Sequence, residues 1–429
     1  MSVVCADSCG WLLDSCAHID EGFQRCVSYS DGLEKPKYFK CCFKREYFNT
    51  LKPHVQIQQN TDILNTANLS NAEHAKPDLQ TRKKRKRKQR DLNTGELDAH
   101  IYHGKVRSVV LEGSRALLEA GRQCGYLTEA LTAPPSESVL SHECRLAALC
   151  DMAKQLPLMD ESVEAPVQTL NRDGLDPSLD LFSYITENPS DCAYEVTLMK
   201  EKYLLPPRSQ FLLSDITRIH PLVNSGDKFD LIVLDPPWEN KSVKRSNRYS
   251  ALPSSQLKRL PVPALAAPEC LVVTWVTNRA KHLRFIKEEL YPNWAVEVLA
   301  EWLWVKVTRS GEFVFPLDSP HKKPYEVLVL GRYRSTTDHT VRSSAAEDLP
   351  EQRLLISVPS VLHSHKPSLS AVLKPYISRK PRCLELFARS LQCDWTSWGN
   401  EVIKFQHSSY FTRERAEESS KTSETQLTQ

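Results

Sequence analysis

Glycine is scarce in this chain of 429 residues, which holds 13 glycines against 27 prolines. Ordinary usage is about 7% glycine, roughly twice the share found here. Neither GxGxxG nor GxxxxGK[ST] occurs. A nucleotide or cofactor must therefore be held without the usual glycine-rich phosphate loop. There are 13 cysteines but no CxxC pair. Cys5, Cys9, Cys16 and Cys26 are not spaced as the paired knuckles of a tetrahedral metal site, so small buried thiols and no metal are expected. No window approaches the apolar length of a membrane span, so no membrane partner is expected. The start has no basic n-region and carries Asp within its apolar stretch, unlike a signal peptide. A reducing compartment with free thiols fits these features.

At 25% charged and 41% hydrophobic residues, the chain reads as globular, with roughly two or three domains for its length. The net charge of +3 hides a split. Arg82, Lys83, Lys84, Arg85, Lys86, Arg87, Lys88 and Arg90 carry eight positive charges. The remainder has 48 basic against 53 acidic residues, a net −5. Self-repulsion makes such a run a poor helix or strand. It reads as a solvated nuclear localisation signal or nucleic-acid tether, a plain solubilising linker being the blander alternative. Nuclear import machinery is thus an expected partner and the nucleus an expected location, with the cytoplasm also open.

Residues 1–58 form a small N-terminal segment with a strand around Tyr38–Phe43. Residues 59–94 read as a disordered basic linker. Residues 95–205 read as a mostly helical middle module, with helical spacing from Leu97 to Leu118 and a second helix over His142 to Gln155. Residues 206–410 alternate strands and helices: Phe229 to Leu234, Leu271 to Val276, Val296 to Val307, Val327 to Leu330, Leu354 to Val358 and Arg382 to Phe387 are strands. Arg279 to Leu290 and Ser370 to Tyr376 are helices. The fold class predicted is α/β, a doubly wound three-layer arrangement. Residues 411–429 read as a disordered tail.

In such sheets ligands bind beyond the carboxyl ends of the strands, which directs attention to Asp235-Pro236-Pro237-Trp238. Alone, a Pro-Pro pair would be a stiff turn beside a packed Trp. Here an apolar strand feeds the Asp directly, and the prolines remove donors and restrict φ. An exocyclic amino group suits this set. The lone pair of adenine N6 is delocalised into the ring. A carboxylate and a proline carbonyl that accept its hydrogens would favour a pyramidal nitrogen able to attack a methyl group. The protein would supply positioning and a preorganised field.

With these residues the chain resembles the MT-A70 family of N6-adenine methyltransferases over about 206–405. Leu213-Ser-Asp-Ile216 precedes the tetrapeptide. Ser364-His365-Lys366-Pro367, Leu384-Glu-Leu-Phe-Ala-Arg389 and Trp395-Thr-Ser-Trp-Gly-Asn-Glu401 follow in the family's order. The resemblance implies a Rossmann-like domain that binds S-adenosyl-L-methionine. It implies that Asp235 and the Pro236 carbonyl hold N6, with Pro237 and Trp238 shaping the adenine pocket. Asp215 and Ile216 would meet the cofactor's adenine, Lys366 its methionine carboxylate, and Arg389, Asn400 and Glu401 its ribose, with Phe387 and Asp235 also at the cofactor. The family often has Gln at the position of Glu401 and Gly at that of Ala388. Singly, Lys366 would read as a surface lysine, Asn400 as a cap and Asp215 as a turn residue; their joint order carries the assignment.

The loop Lys241, Lys244, Arg245, Asn247, Arg248 and Tyr249 suits phosphate contacts and base stacking, and Glu326 is a candidate to orient the acceptor or Lys366. The target adenine must be single-stranded or flipped out. Within the family, residues 235–250 and 321–326 most resemble a subgroup whose likeness suggests RNA, with 2′-O-methyladenosine of a spliceosomal small nuclear RNA as acceptor. DNA, or a non-catalytic RNA-binding role, are the alternatives. The double replacement Asp235→Ala with Trp238→Ala is expected to abolish transfer and leave the fold.

Overall fold

The computed structural model describes residues 2–29, 36–50, 53, 94–128, 146–153, 167–170, 180–239, 252–319, 322–334 and 347–415. The basic run at 82–90 and the loop at 241–250 lie outside them.

The strands are β1 (Val3–Ala6), β2 (Gly10–Leu13), β3 (Cys26–Ser28), β4 (Lys37–Phe43), β5 (Val167–Thr169), β6 (Ile185–Asn188), β7 (Ala193–Leu198), β8 (Glu201–Leu205), β9 (Ser209–Leu212), β10 (Phe229–Leu234), β11 (Ala266–Val276), β12 (Val296–Lys306), β13 (Tyr325–Tyr333), β14 (Leu354–Ser357), β15 (Cys383–Leu386), β16 (Trp395–Trp398) and β17 (Phe411–Arg415). Twelve of them form one mixed sheet in the order β1-β2-β14-β12-β13-β11-β10-β15-β16-β9-β6-β5. At its centre β11, β10, β15, β16 and β9 run parallel. Apart from Asp230, the central strand β10 is apolar because it is buried on both faces. Ile232 and Leu234 enter one core, and Leu231 and Val233 enter the core on the opposite face. The predicted strands and the helix beginning near Arg279 are present, the latter as Ala280–Phe285 running into a π turn at Ile286–Leu290.

Three regions differ from expectation. After the short helix α1 (Ser15–Glu21), the segment 95–205 does contain helices, α2 (Thr94–Gln123) and α3 (Leu146–Ala153), but from Val167 onward its described residues form strands β5 to β8 and the turns between them. The β7–β8 hairpin turns through Met199 and Lys200, both at positive φ (52° and 68°). That turn normally advertises itself with Asn or Gly, and neither is present. The N-terminal segment is no separate unit. β1 and β2 extend the main sheet beside β14, while β3 and β4 join β7, β8 and β17 in a second, five-stranded sheet. Lastly, the start of the expected tail is ordered. Residues Phe411 to Arg415 pair with β4, and Phe411 is buried against Phe23 and Phe43. An apolar anchor outweighs the charged residues that follow it.

Candidate active site

Asp235 is the first residue beyond β10, and its backbone N–H donates to the Leu386 carbonyl of β15 at 3.2 Å. The carboxylate is buried between two cations. Arg389 Nη1 donates to Oδ2 at 2.9 Å, and Lys366 Nζ lies 3.3 Å from Oδ1. Each cation has a second carboxylate. Lys366 reaches Glu326 at 3.1 Å and Arg389 reaches Glu401 at 3.4 Å. Lys306 closes one end on Glu326 and Lys404 the other on Glu401. The result is a chain of alternating charge, Lys306–Glu326–Lys366–Asp235–Arg389–Glu401–Lys404, across the carboxyl edge of the sheet.

Burial opposes the charge of Lys366, but Asp235 and Glu326 outweigh it, and the amine is raised above its ordinary range. Burial likewise pushes Glu326 up, but Lys306 and Lys366 outweigh that and leave it at about 2. Lys366 therefore stays cationic although it is enclosed and faces the Trp275 ring at 5.5 Å. Two segments that deliver these side chains pass through left-handed backbone at non-glycine residues, Ser364 (φ 64°) and Phe387 (φ 63°). Such strain persists only where surrounding structure fixes it, and it gathers at functional sites.

Asp235, Lys366, Phe387 and Arg389 line a cavity of about 750 Å³ with Trp275 and Glu385. Pro236, Pro237 and Trp238 are not on its wall. The Pro236 carbonyl accepts the Trp238 N–H at 2.8 Å, and Pro237 accepts from Leu252 at 3.1 Å. Trp238 is a core residue, only 5% exposed. Its indole N–H donates to the Trp275 carbonyl at 2.8 Å, and its ring packs on His282 at 4.9 Å. It anchors the loop from behind, so replacing it by Ala removes core packing at a cost of about 3–5 kcal/mol, a loss that the expectation of an untouched fold did not include.

Asp215 and Asn400 follow β9 and β16, which are paired through Leu212 and Trp398, so both stand on the same sheet edge as Asp235. Asp215 caps the turn at Ile216–Arg218, accepting from the Thr217 N–H at 2.9 Å. Asn400 is exposed and Ile216 half-buried. Gly399 passes so near its neighbour that a Cβ there would meet the Ala388 carbonyl at 2.8 Å. The tight approach is made on the Gly399 side, and Ala388 is accommodated. The expected contacts at Lys241, Lys244, Arg245, Asn247, Arg248 and Tyr249 fall outside the described residues.

Four further residues here had no role assigned to them from the sequence. Glu385 lines the cavity on β15 and accepts from Gln392 at 3.1 Å. Burial is the main reason its carboxyl rises to about 7, with the Asp235 charge adding and Gln392 opposing. His365, beside Lys366, stacks on Phe405 at 4.3 Å and is held down at about 3 by burial. Arg279 and His282 grip the far side of the loop through the Glu239 carbonyl at 3.1 and 3.2 Å. Only Glu385 and His365 sat inside quoted motifs, and no spacing rule distinguishes Arg279 or His282.

The MT-A70 family matches residues 229–401. The chain is 52% identical over 384 residues to the N(6)-adenine-specific methyltransferase METTL4 of Mus musculus, which covers 87% of this chain and 81% of the relative. It is 34% identical over 236 residues to the N6-methyladenosine RNA methyltransferase MTA1 of Pyricularia oryzae, covering 52% of this chain and 60% of the relative. A DNA N6-methyl methyltransferase of Caenorhabditis elegans is 36% identical over 217 residues, covering 49% of this chain and 56% of the relative.

Proposed function

The chain belongs to the MT-A70 family and is an N6-adenine methyltransferase, and from that premise we propose that its substrate is adenosine in RNA and its methyl donor S-adenosyl-L-methionine. The observation that carries the reading is the pairing of Asp235 with Lys366 on the cavity wall. A carboxylate beside a cation is complementary to the ammonium and carboxylate of an amino-acid headgroup, so the donor set fits the cofactor. Parallel strands whose carboxyl ends meet at Asp235 support a Rossmann-like arrangement of this site. When bound, the cofactor supplies an electrophilic methyl group.

The chain's own residues then divide the work. Lys366 holds a carboxylate as a point charge, with Glu326 behind it to fix its aim. Asp235 accepts a hydrogen from N6 and stabilises the positive charge that develops there as the N–C bond forms. Arg389 keeps the Asp235 carboxylate in place. Asp215, Ile216, Asn400 and Glu401 lie along the strand ends, where the nucleoside half of the donor would extend. Trp238, His282 and Arg279 fix the loop that carries Pro236 and Pro237.

RNA is favoured because the subgroup resemblance of residues 235–250 and 321–326 implies it, and because residues 241–249, directly after Asp-Pro-Pro-Trp in the sequence, offer four cations and a Tyr suited to phosphate contacts and base stacking. A 2′-O-methyladenosine in a small nuclear RNA is the acceptor proposed, with entry to the nucleus through 82–90. The purified protein should transfer labelled methyl from S-adenosylmethionine to single-stranded RNA, faster when the target adenosine carries a 2′-O-methyl than when it does not. Faster transfer to the matched DNA oligonucleotide would overturn the RNA assignment.

A further inference from the structure

Lys366 stands in the connection between β14 and the helix at Ser370–Leu373, and two different cores hold that connection. After the lysine, Leu369 joins the core of Leu231 and Val233 on the main sheet. Before it, Leu362 is buried in the core that Phe23, Phe39, Phe43 and Tyr47 of the N-terminal segment build. The same segment fastens the backbone. The Val361 N–H donates to the Tyr47 carbonyl at 2.8 Å, and Thr50 Oγ1 donates to the Pro359 carbonyl at 3.5 Å. His365, next to the lysine, is enclosed by three aromatic rings: Phe43 at 5.7 Å, Phe48 at 5.5 Å and Phe405 at 4.3 Å. Its Nδ1 is buried without a hydrogen-bond partner, so packing rather than a polar contact seats the ring.

We propose that His365 is a positioning residue: its ring, seated in a cage built largely by the N-terminal segment, fixes Lys366 for the carboxylate of the methyl donor. A lysine has a flexible four-carbon stem, so its aim depends on where its backbone is held. Here the backbone turns through Ser364 at φ 64° just before the lysine. Leu362 and His365 flank that turn and are both buried, whereas Val361 and His363 are exposed. The two buried side chains are therefore the anchors that keep the strained turn in place. His365 and Phe43 line the cavity that holds Asp235 and Lys366, while Phe48 supports the ring from outside it. A shell that locks the origin of a binding side chain adds affinity without touching the ligand. The N-terminal segment thus serves the donor site through one ring.

This inference rests on the proposed binding of S-adenosylmethionine by Lys366, and the test separates the two. Titration calorimetry on the full chain, well below each variant's melting temperature, reads the affinity for S-adenosylmethionine without RNA. His365→Ala removes the ring and should weaken binding about tenfold, within what coupled contacts transmit. Phe48→Ala alters a ring that touches His365 but is not on the cavity wall, and should weaken binding in the same direction. Combined with His365→Ala it should cost little more, because the ring it supports is already gone. His365→Phe keeps the ring, drops the unpaired nitrogen and should restore the wild-type affinity. KM for the RNA oligonucleotide, read at saturating S-adenosylmethionine, should stay within about twofold in each variant, which a general loosening of the fold would not give. Unchanged affinity in His365→Ala, or in Phe48→Ala should the first not fold, overturns the inference. So does a His365→Phe as weak as His365→Ala, because a ring nitrogen would then be the working group. Lys366→Ala binding as tightly as the wild type overturns the donor reading as well.

Discussion

At the scale of single residues, the site is organised by charges that compensate one another in pairs. Asp235 is shared by Lys366 and Arg389, and each cation has a second carboxylate. Glu385 stands apart, as a half-buried carboxyl raised to about 7. An acid whose folded value lies above its ordinary 4.5 favours the folded state at low pH. That contribution is complete below pH 4.5 and is lost as pH rises through 7. Glu385→Gln should flatten the fall in melting temperature between those limits, measured in a pH series against the wild type; an identical slope would show that Glu385 ionises without penalty. Much of this scale was legible in the sequence. Asp235, Lys366, Arg389 and Glu401 were found through their ordered motifs. The placement of Trp238 was not. A Trp after Pro-Pro serves equally as a stacking surface or a core anchor, and only the indole bond to Trp275 decides between them.

Among the elements, strands buried on both faces announced themselves as largely apolar runs, as in Phe229–Leu234 with its single Asp230. Those missed were short, or joined by turns without the usual residues. β2 was one, and its only glycine explains how it fits. A Cβ at Gly10 would stand 1.9 Å from the Leu354 carbonyl of β14. Gly104, in the exposed middle of α2, meets nothing within 4 Å. The two should respond in opposite ways to alanine. Gly104→Ala should stabilise by about 0.5–1 kcal/mol through helix propensity. Gly10→Ala should destabilise by about 1–3 kcal/mol or more, as overpacking against backbone. Chemical denaturation of both variants checks the pair; a harmless Gly10→Ala would mean that β2 does not pair with β14 as described.

The whole molecule is less divisible than its composition suggests. The N-terminal strands complete the main sheet at β14 and build the second sheet with β7, β8 and β17. On α2, Val106, Val110 and Leu117 enter the same core as Ile232 and Leu234 of β10. A fragment of residues 206–410 leaves that core and the edge of β14 open. It should be unfolded or aggregated by circular dichroism and light scattering, whereas a folded, active fragment would show that the N-terminal half is an independent accessory. Sequence patterning could not reveal this unity. Pairing between β4 and β17 joins residues 368 to 376 positions apart, and no local signal encodes such a partner.

In the proposed reaction the Asp235 carboxylate, held between Lys366 and Arg389, engages the reacting adenine nitrogen. Asp235→Asn keeps the shape and removes the charge. Transfer of labelled methyl to a single-stranded adenine oligonucleotide, with product identified as N6-methyladenosine, should fall by at least about a hundredfold while the melting temperature shows a folded protein. Turnover within a factor of about two of the wild type would show that the Asp235 charge does not engage the reacting nitrogen.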